Sequence, residues 1–495
     1  MAKRSTVTAT IVLLALCLCT VLVVRKSHSQ TYPVLGRDML EQVEVIEDHR
    51  DALAHWAQKG LRNCVLLHID AHDDMRKTPS EELARLKAAR RQAKKVRFDA
   101  GTGRDRYAGA TNATFVHAAV KLGILKKVVW VVPVRYGLFA DGGANLTALL
   151  KMYGFAEEEI RGFRLQNGRY VGTTDGCTLE ICDIRSLPDL REPVLLSVDV
   201  DYFQDMTDER DPRITAGVRE TFLALFRKGY AIRDAIVAYS VNGGFLDSRY
   251  RWVGDLVVDT LRIPGLILQD KLPGRYAFLQ RADLLLLTQR YEALLDLLAP
   301  FLDGEQVEST MYVYAAKAYQ GLGRLDESLR CAETACVAER RYCQCLPELG
   351  TVILEKNGLD SAERFFLRGY ELSPDMDQGQ FRYAMALKAC GRHDDAIRYF
   401  SVFRACYGPF PADFYIGETF LLKGDEQSAL TFYDRGRAEL ARNPFALAGF
   451  GDHGAIEKAA TFYDRKGYGA HASELRNSLK SRGTATTFRL GWSRL

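Results

Sequence analysis

Residues 65 to 75 read VLLHIDAHDDM, an apolar run that delivers Asp70, His72 and Asp74 at intervals of two. Val65, Leu66, Leu67 and Ile69 make the short continuous apolar stretch of a strand buried on both faces of a parallel sheet. Ligands of open α/β sheets collect beyond the carboxyl ends of such strands, which is where the charged residues stand. Side chains alternate along a strand, so Asp70, His72 and Asp74 offer two carboxylates and an imidazole to one point. That donor set suits Mn²⁺, Fe²⁺ or Zn²⁺ better than the soft ions that thiolates select. Taken alone, the run is equally a polar turn after a strand.

A second stretch repeats the pattern. Residues 194 to 203 read VLLSVDVDYF, another apolar strand, carrying Asp199 and Asp201. Two buried carboxylates on one strand repel and are costly to desolvate unless a cation compensates, so two such strands point to a shared metal centre. Upstream, VEVIEDHRDALAHW (residues 43 to 56) supplies His49 as a sixth candidate ligand. Glu47, two residues before it, is a candidate catalytic carboxylate that contacts substrate or supports a ligand.

The D-A-H-x-D run followed by S-x-D-x-D resembles the arginase, agmatinase and deacetylase fold, a three-layer α/β sandwich with a metal centre. The ureohydrolase branch is the closer likeness. It implies two Mn²⁺ ions, Zn²⁺ or Fe²⁺ being alternatives, with His49, Asp70, Asp74 and Asp199 on one ion and Asp70, His72, Asp199 and Asp201 on the other. Asp70 and Asp199 would bridge. E-D-H before H-I-D-A-H, then S-V-D-V-D-Y-F, is similar to a divergent branch that includes peptide arginases, which convert arginine to ornithine within a peptide. The resemblance covers roughly residues 35 to 270. Arginases carry a guanidinium-gripping acidic residue on a later strand, whereas AIVAYSVNGGF here gives Ser240, Val241 and Asn242.

Two metals sharing a water suit hydrolysis of a C–N bond in a guanidinium or amide. A histidine usually returns the proton to the leaving nitrogen, and His117, on a helix expected over Asn112–Gly123, is the candidate. His68 is read instead as a core residue facing away from Asp70.

At 495 residues, 47% hydrophobic and 26% charged, the chain is long enough for two folded parts. A net charge of +4 gives no reason to expect a nucleic-acid partner. Residues 1–30 hold an uncharged run from Ser5 to Val24, 20 residues closed by Arg25 and Lys26, and are expected to be a membrane anchor. The bulk of the chain is then expected on the non-cytoplasmic side, a single-pass placement. A cleaved signal, leaving a secreted protein, is the alternative. Residues 31–272 form the metallohydrolase domain, interrupted at 80–106 by a basic helix and a Gly-rich loop. Strands are expected near 127–134, 194–200, 234–240 and 264–269.

Beyond residue 272 a repeat takes over. Gly323, Asn357, Gly391 and Gly424 are spaced by 34, 34 and 33 residues, and Ser328, Ala362, Ala396 and Ala429 follow each by five. A last unit uses Gly467 and Ala472. These spacings resemble tetratricopeptide (TPR) repeats over 273–480, an all-α solenoid of paired helices that implies a bound peptide or protein. Residues 481–495 are a basic tail. The eleven cysteines are scattered, and most are read as small core residues.

The sequence thus reads as a membrane-anchored binuclear hydrolase of C–N bonds, such as the guanidinium of a peptidyl arginine, with a TPR solenoid. Two readings remain beside it: a non-catalytic TPR scaffold with a structural metal site, and a metal-dependent amidohydrolase.

Overall fold

A computed structural model describes residues 43–91, 110–138, 143–152, 155–206, 213–241, 246–269, 272–302, 308–374, 377–407, 410–442 and 454–480. Its first half is built on one eight-stranded sheet in the order β1-β8-β7-β2-β3-β6-β5-β4. The strands are β1 Val43–Ile46, β2 Cys64–Ile69, β3 Leu125–Val131, β4 Arg164–Gln166, β5 Arg169–Thr174, β6 Cys177–Cys182, β7 Val194–Asp199 and β8 Ile232–Ala238. From β1 across to β6 every pairing is parallel. β6, β5 and β4 then meander antiparallel to the far edge.

Every residue of β2 and β7 is buried, the outcome that unbroken apolar runs specify. Helices cover both faces. On one, Leu53 and Trp56 of helix Asp51–Gln58 pack with Phe115 and Leu149. On the other, Phe222 of helix Ile214–Lys228 and Trp252 and Leu256 of helix Arg251–Arg262 close the core. The result is three layers around a mixed sheet. The antiparallel edge was not expected, although its turns are written as Asn167-Gly168 and Asp175-Gly176. All four residues take positive φ, the conformation a two-residue hairpin turn requires.

Residues 264–269 correct another expectation. Pro264 has no N–H to give a ladder, and the segment turns into the short helix Gly265–Leu268 instead of a strand. The basic insertion begins as the expected helix, Ser80–Arg91, and its Gly-rich loop lies outside the described residues. The single-pass membrane placement is also corrected. No helix among the described residues is long and apolar enough to cross a membrane, and the run from Ser5 to Val24 lies outside them, as does the tail 481–495.

From Gly274 to Lys480 the described chain is helical, in antiparallel pairs such as Ser309–Gly321 with Leu325–Ala338 and Ala412–Leu422 with Glu426–Arg442. Gly323, Gly391, Gly424 and Gly467 all turn with φ between +74 and +81°, and Ser328, Ala362, Ala396, Ala429 and Ala472 are fully buried where the paired helices meet. One register differs: Asn357 ends its helix, and Gly358 makes the turn at φ +82°. Cys336 and Cys343 form a disulfide, a pairing that the scattered cysteines did not lead one to expect. The solenoid is not a detached unit. Tyr276, Leu279, Leu294, Tyr314 and Ala318 belong to the same apolar core as Phe222 and Trp252 of the α/β layer.

Candidate metal centre

Register brings the candidate ligands together. Ile69 pairs with Val198, Asp199 with Ala238, and Ala238 with Ile46. The carboxyl ends of β2, β7, β8 and β1 therefore stop side by side, and the residues just beyond them share one edge of the sheet. His49, Asp70, Asp74, Asp199 and Asp201 are each at most 6% exposed, whereas the His72 side chain is 23% exposed.

The two strand motifs end alike. Asp70 Oδ1 accepts the backbone N–H of His72 at 2.7 Å, and Asp199 Oδ1 accepts that of Asp201 at 3.1 Å, so each run closes on its own first carboxylate. His49 Nδ1 lies 2.9 Å from Asp70 Oδ2, 3.3 Å from Asp74 Oδ2 and 3.2 Å from Asp199 Oδ2. His72 Nδ1 lies 3.1 Å from Asp201 Oδ2 and 3.5 Å from Asp70 Oδ1. Donors bound at about 2.1 Å and at right angles around one ion stand about 3.0 Å apart, so both groups have the spacing of a coordination shell. Asp70 faces one group with each oxygen. Asp201 Oδ1 is buried without a hydrogen-bond partner, and His49 Nδ1 and Asp70 Oδ2 face only other donors of the cluster, which is what residues shaped to hold a cation present.

The electrostatics agree. Burial and the charge of Asp70 push Asp74 up to about 8, and burial with the charge of Asp199 pushes Asp201 well above the carboxylate range. Burial works against charge on His49, but Asp199, Asp70 and Asp74 outweigh it and raise it well above an ordinary histidine. Burial would raise Asp70 too, yet the imidazoles of His68, His49 and His72 hold it low. A carboxylate cluster this crowded must take up protons or a cation.

Supporting groups fix the donors. His49 Nε2 is 2.7 Å from Ser197 Oγ, which orients the ring and leaves Nδ1 toward the carboxylates. Ser240 Oγ donates to Asp199 Oδ2 at 2.6 Å. Both Asp74 and Ser240 hold positive φ, +51 and +54°, so backbone strain gathers at this edge. Ser240 therefore does more than stand where a carboxylate is missing, since it supports a candidate ligand.

Glu47 sits at the same edge but is engaged: Oε1 accepts the backbone N–H of Val241 at 3.0 Å, and Oε2 accepts Arg251 Nη2 at 2.7 Å. It positions the end of β8. His117 is engaged as well. Its Nδ1 lies 2.9 Å from Thr78 N and 3.0 Å from Thr78 Oγ1, and its Nε2 lies 3.2 Å from Asp175 Oδ2. With both ring nitrogens engaged, His117 ties the loop after β2 to the β5–β6 turn. His68 corrects the sequence reading most plainly. Residues two apart on a strand share a face, and His68 Nε2 lies 3.3 Å from Asp70 Oδ2.

The solenoid reaches this edge through the segment after β8. Glu348 accepts Ser248 N at 3.0 Å and Ser248 Oγ at 2.6 Å, and Lys317 bonds Asp247 and Glu348. Arg251, which holds Glu47, stacks over Tyr239, its guanidinium carbon 4.7 Å from the ring centroid, and lies 5.9 Å from that of Tyr342 in the solenoid. The β8 end is thus shared between site and solenoid.

No family model matches the chain, and no curated protein does either. Among solved structures, the chain is similar to MamA AMB-1 at 19% identity, TM-score 0.25, over 34% of this chain and 91% of that one. It is also similar to YrrB, described as a TPR protein with an unusual peptide-binding site, at 22% identity, TM-score 0.25, over 35% of this chain and 90% of that one.

Proposed function

We propose that the α/β half is a two-metal hydrolase of non-peptide C–N bonds, with the guanidinium of a peptidyl arginine as the leading substrate, and that the solenoid holds the peptide or protein that carries it. The observation that carries this reading is Asp70, whose two oxygens face two separate donor groups, His49 with Asp74 and Asp199, and His72 with Asp201. Two Mn²⁺ ions fit these carboxylate-rich donors, with Zn²⁺ or Fe²⁺ as alternatives. When bound, such ions supply an activated water and polarise the scissile carbon.

The chain's own residues do the rest. Ser197 and Ser240 hold His49 and Asp199 in place, and Glu47 with Arg251 sets the end of β8 beside them. Solenoid helices Ser309–Gly321 and Cys345–Asn357 grip Asp247 and Ser248 just beyond that end, so a chain held by the repeats would lie next to the metal edge. Ser240 in place of a guanidinium-gripping carboxylate favours a second reading, hydrolysis of a neutral amide.

Elemental analysis of the full chain, beside an Asp70→Asn, Asp199→Asn variant, is the test. Two divalent ions per chain, lost in the variant, with urea released from arginine peptides, is the expected result. Acetate released from acetyl-lysine peptides instead would move the assignment to amide hydrolysis. A chain that binds no ion under Mn²⁺-, Fe²⁺- or Zn²⁺-replete conditions would sink the enzyme reading and leave a scaffold.

A further inference from the structure

We infer that His68 is a fifth donor to the inner ion, so that the two metal positions are chemically unequal. This rests on the two-metal reading above. His68 stands one residue before the end of β2 with no solvent exposure, and its Nε2 has no hydrogen-bond partner. That atom lies 3.3 Å from Asp70 Oδ2 and 3.8 Å from Asp74 Oδ2, and His49, His68 and Asp70 each present a ligand atom within 4.8 Å of the others. In a six-coordinate shell with bonds of about 2.1 Å, adjacent donors stand about 3.0 Å apart and opposite ones about 4.2 Å. His68 fits as a neighbour of Asp70, and its ring centroid stands 5.2 Å from that of His49.

A packing histidine in a dry core normally closes its hydrogen bonds, and His68 Nε2 instead points at carboxylate oxygens. Phe115 fixes it there, its ring centroid 4.8 Å from that of His49 and 6.2 Å from that of His68. The inner position then offers His49, His68, Asp70, Asp74 and Asp199. The outer offers the single imidazole of His72 with Asp70, Asp199 and Asp201, and is the more open. Two imidazoles in a buried shell favour Zn²⁺ or Fe²⁺, while one imidazole among carboxylates suits Mn²⁺. The inner position takes the first equivalent of Zn²⁺.

The test loads metal-free full-length chain with one equivalent of Zn²⁺ and counts imidazoles by zinc X-ray absorption. Two per ion are expected. His68→Phe, which keeps a planar ring, should leave one and weaken the first equivalent at least about 10-fold, while Mn²⁺ binding outside it persists. His68→Asn serves as the second variant if the Phe ring disturbs folding. A wild-type first site with one imidazole, or a variant with unchanged affinity, overturns the assignment of His68 and leaves the two-metal reading standing. A wild-type chain that binds no Zn²⁺ overturns both.

Discussion

Lys317→Met tests how firmly the solenoid is locked to the metal edge. Lys317 Nζ stands 3.0 Å from Asp247 Oδ1 and 3.0 Å from Glu348 Oε2, and the three side chains are 12, 14 and 6% exposed. Burial works to lower this ammonium, yet Asp247 and Glu348 outweigh it and push it up to about 12. At an effective dielectric of about 20, each pair at this distance attracts by about 5 kcal/mol, most of it offset by desolvation. Methionine keeps the stem and removes the charge, leaving two buried carboxylates without their cation, a loss of about 3–5 kcal/mol. Glu348 retains both bonds from Ser248, and Asp247 retains the N–H of Arg249 at 3.0 Å, so the expected cost is the lower end, about 3 kcal/mol. Guanidinium unfolding followed by tryptophan fluorescence measures it, since Trp252 Nε1 bonds Tyr314 Oη across the same junction at 3.0 Å. Adding Glu348→Gln should restore at least about half of the loss, because one uncompensated charge goes with it. A loss below about 1 kcal/mol, or no recovery in the double variant, would show that the junction is held by its apolar core alone.

Ser240→Ala removes the hydroxyl that supports Asp199 Oδ2, and divalent-ion affinity by calorimetry is expected to fall about 10–100-fold with the fold intact. Metal-free protein should lose stability as pH rises from about 4 to 8. The folded-state pKa of Asp74 lies near 8, above its unfolded value, so the folded chain binds the extra proton across that window; Asp201 acts in the same direction. Saturating Mn²⁺ should flatten that slope in denaturation midpoints taken with and without chelator, and equal slopes would count against the cluster as a cation site. His117→Leu should destabilise by about 1–3 kcal/mol through the bonds to Thr78 and Asp175 while metal content stays unchanged. A large drop in kcat at unchanged stability would instead support His117 as the proton donor.

Much of the site was legible because ligand geometry is partly local. Asp70 and His72, like Asp199 and Asp201, are held by turns within their own three-residue runs. The period of the repeats was legible because a tight helix turn needs a residue that tolerates positive φ, and Gly323, Gly391 and Gly424 announce it. The face of His68 and the hairpin turns at Asn167-Gly168 and Asp175-Gly176 are also local, set by the period of the strand and by turn chemistry.

Other features exist only once strands pair and layers close. Parallel neighbours in the sheet are far apart in the chain, so nothing local says that β1 lies beside β8, or that Glu47 meets Arg251 across 204 positions. Whether Ser240 is a lost substrate contact or a support for Asp199 depends on that same pairing. The fusion of the first solenoid helices with the α/β core depends on tertiary packing too, since Tyr314 and Trp252 carry no mark of each other. The sequence by itself determined the strand ends that carry the donors and the rhythm of the helices, because both are set within a few residues. Tertiary structure alone decided which donors share a point and which residues stand behind them, because register and burial join residues by distance in space.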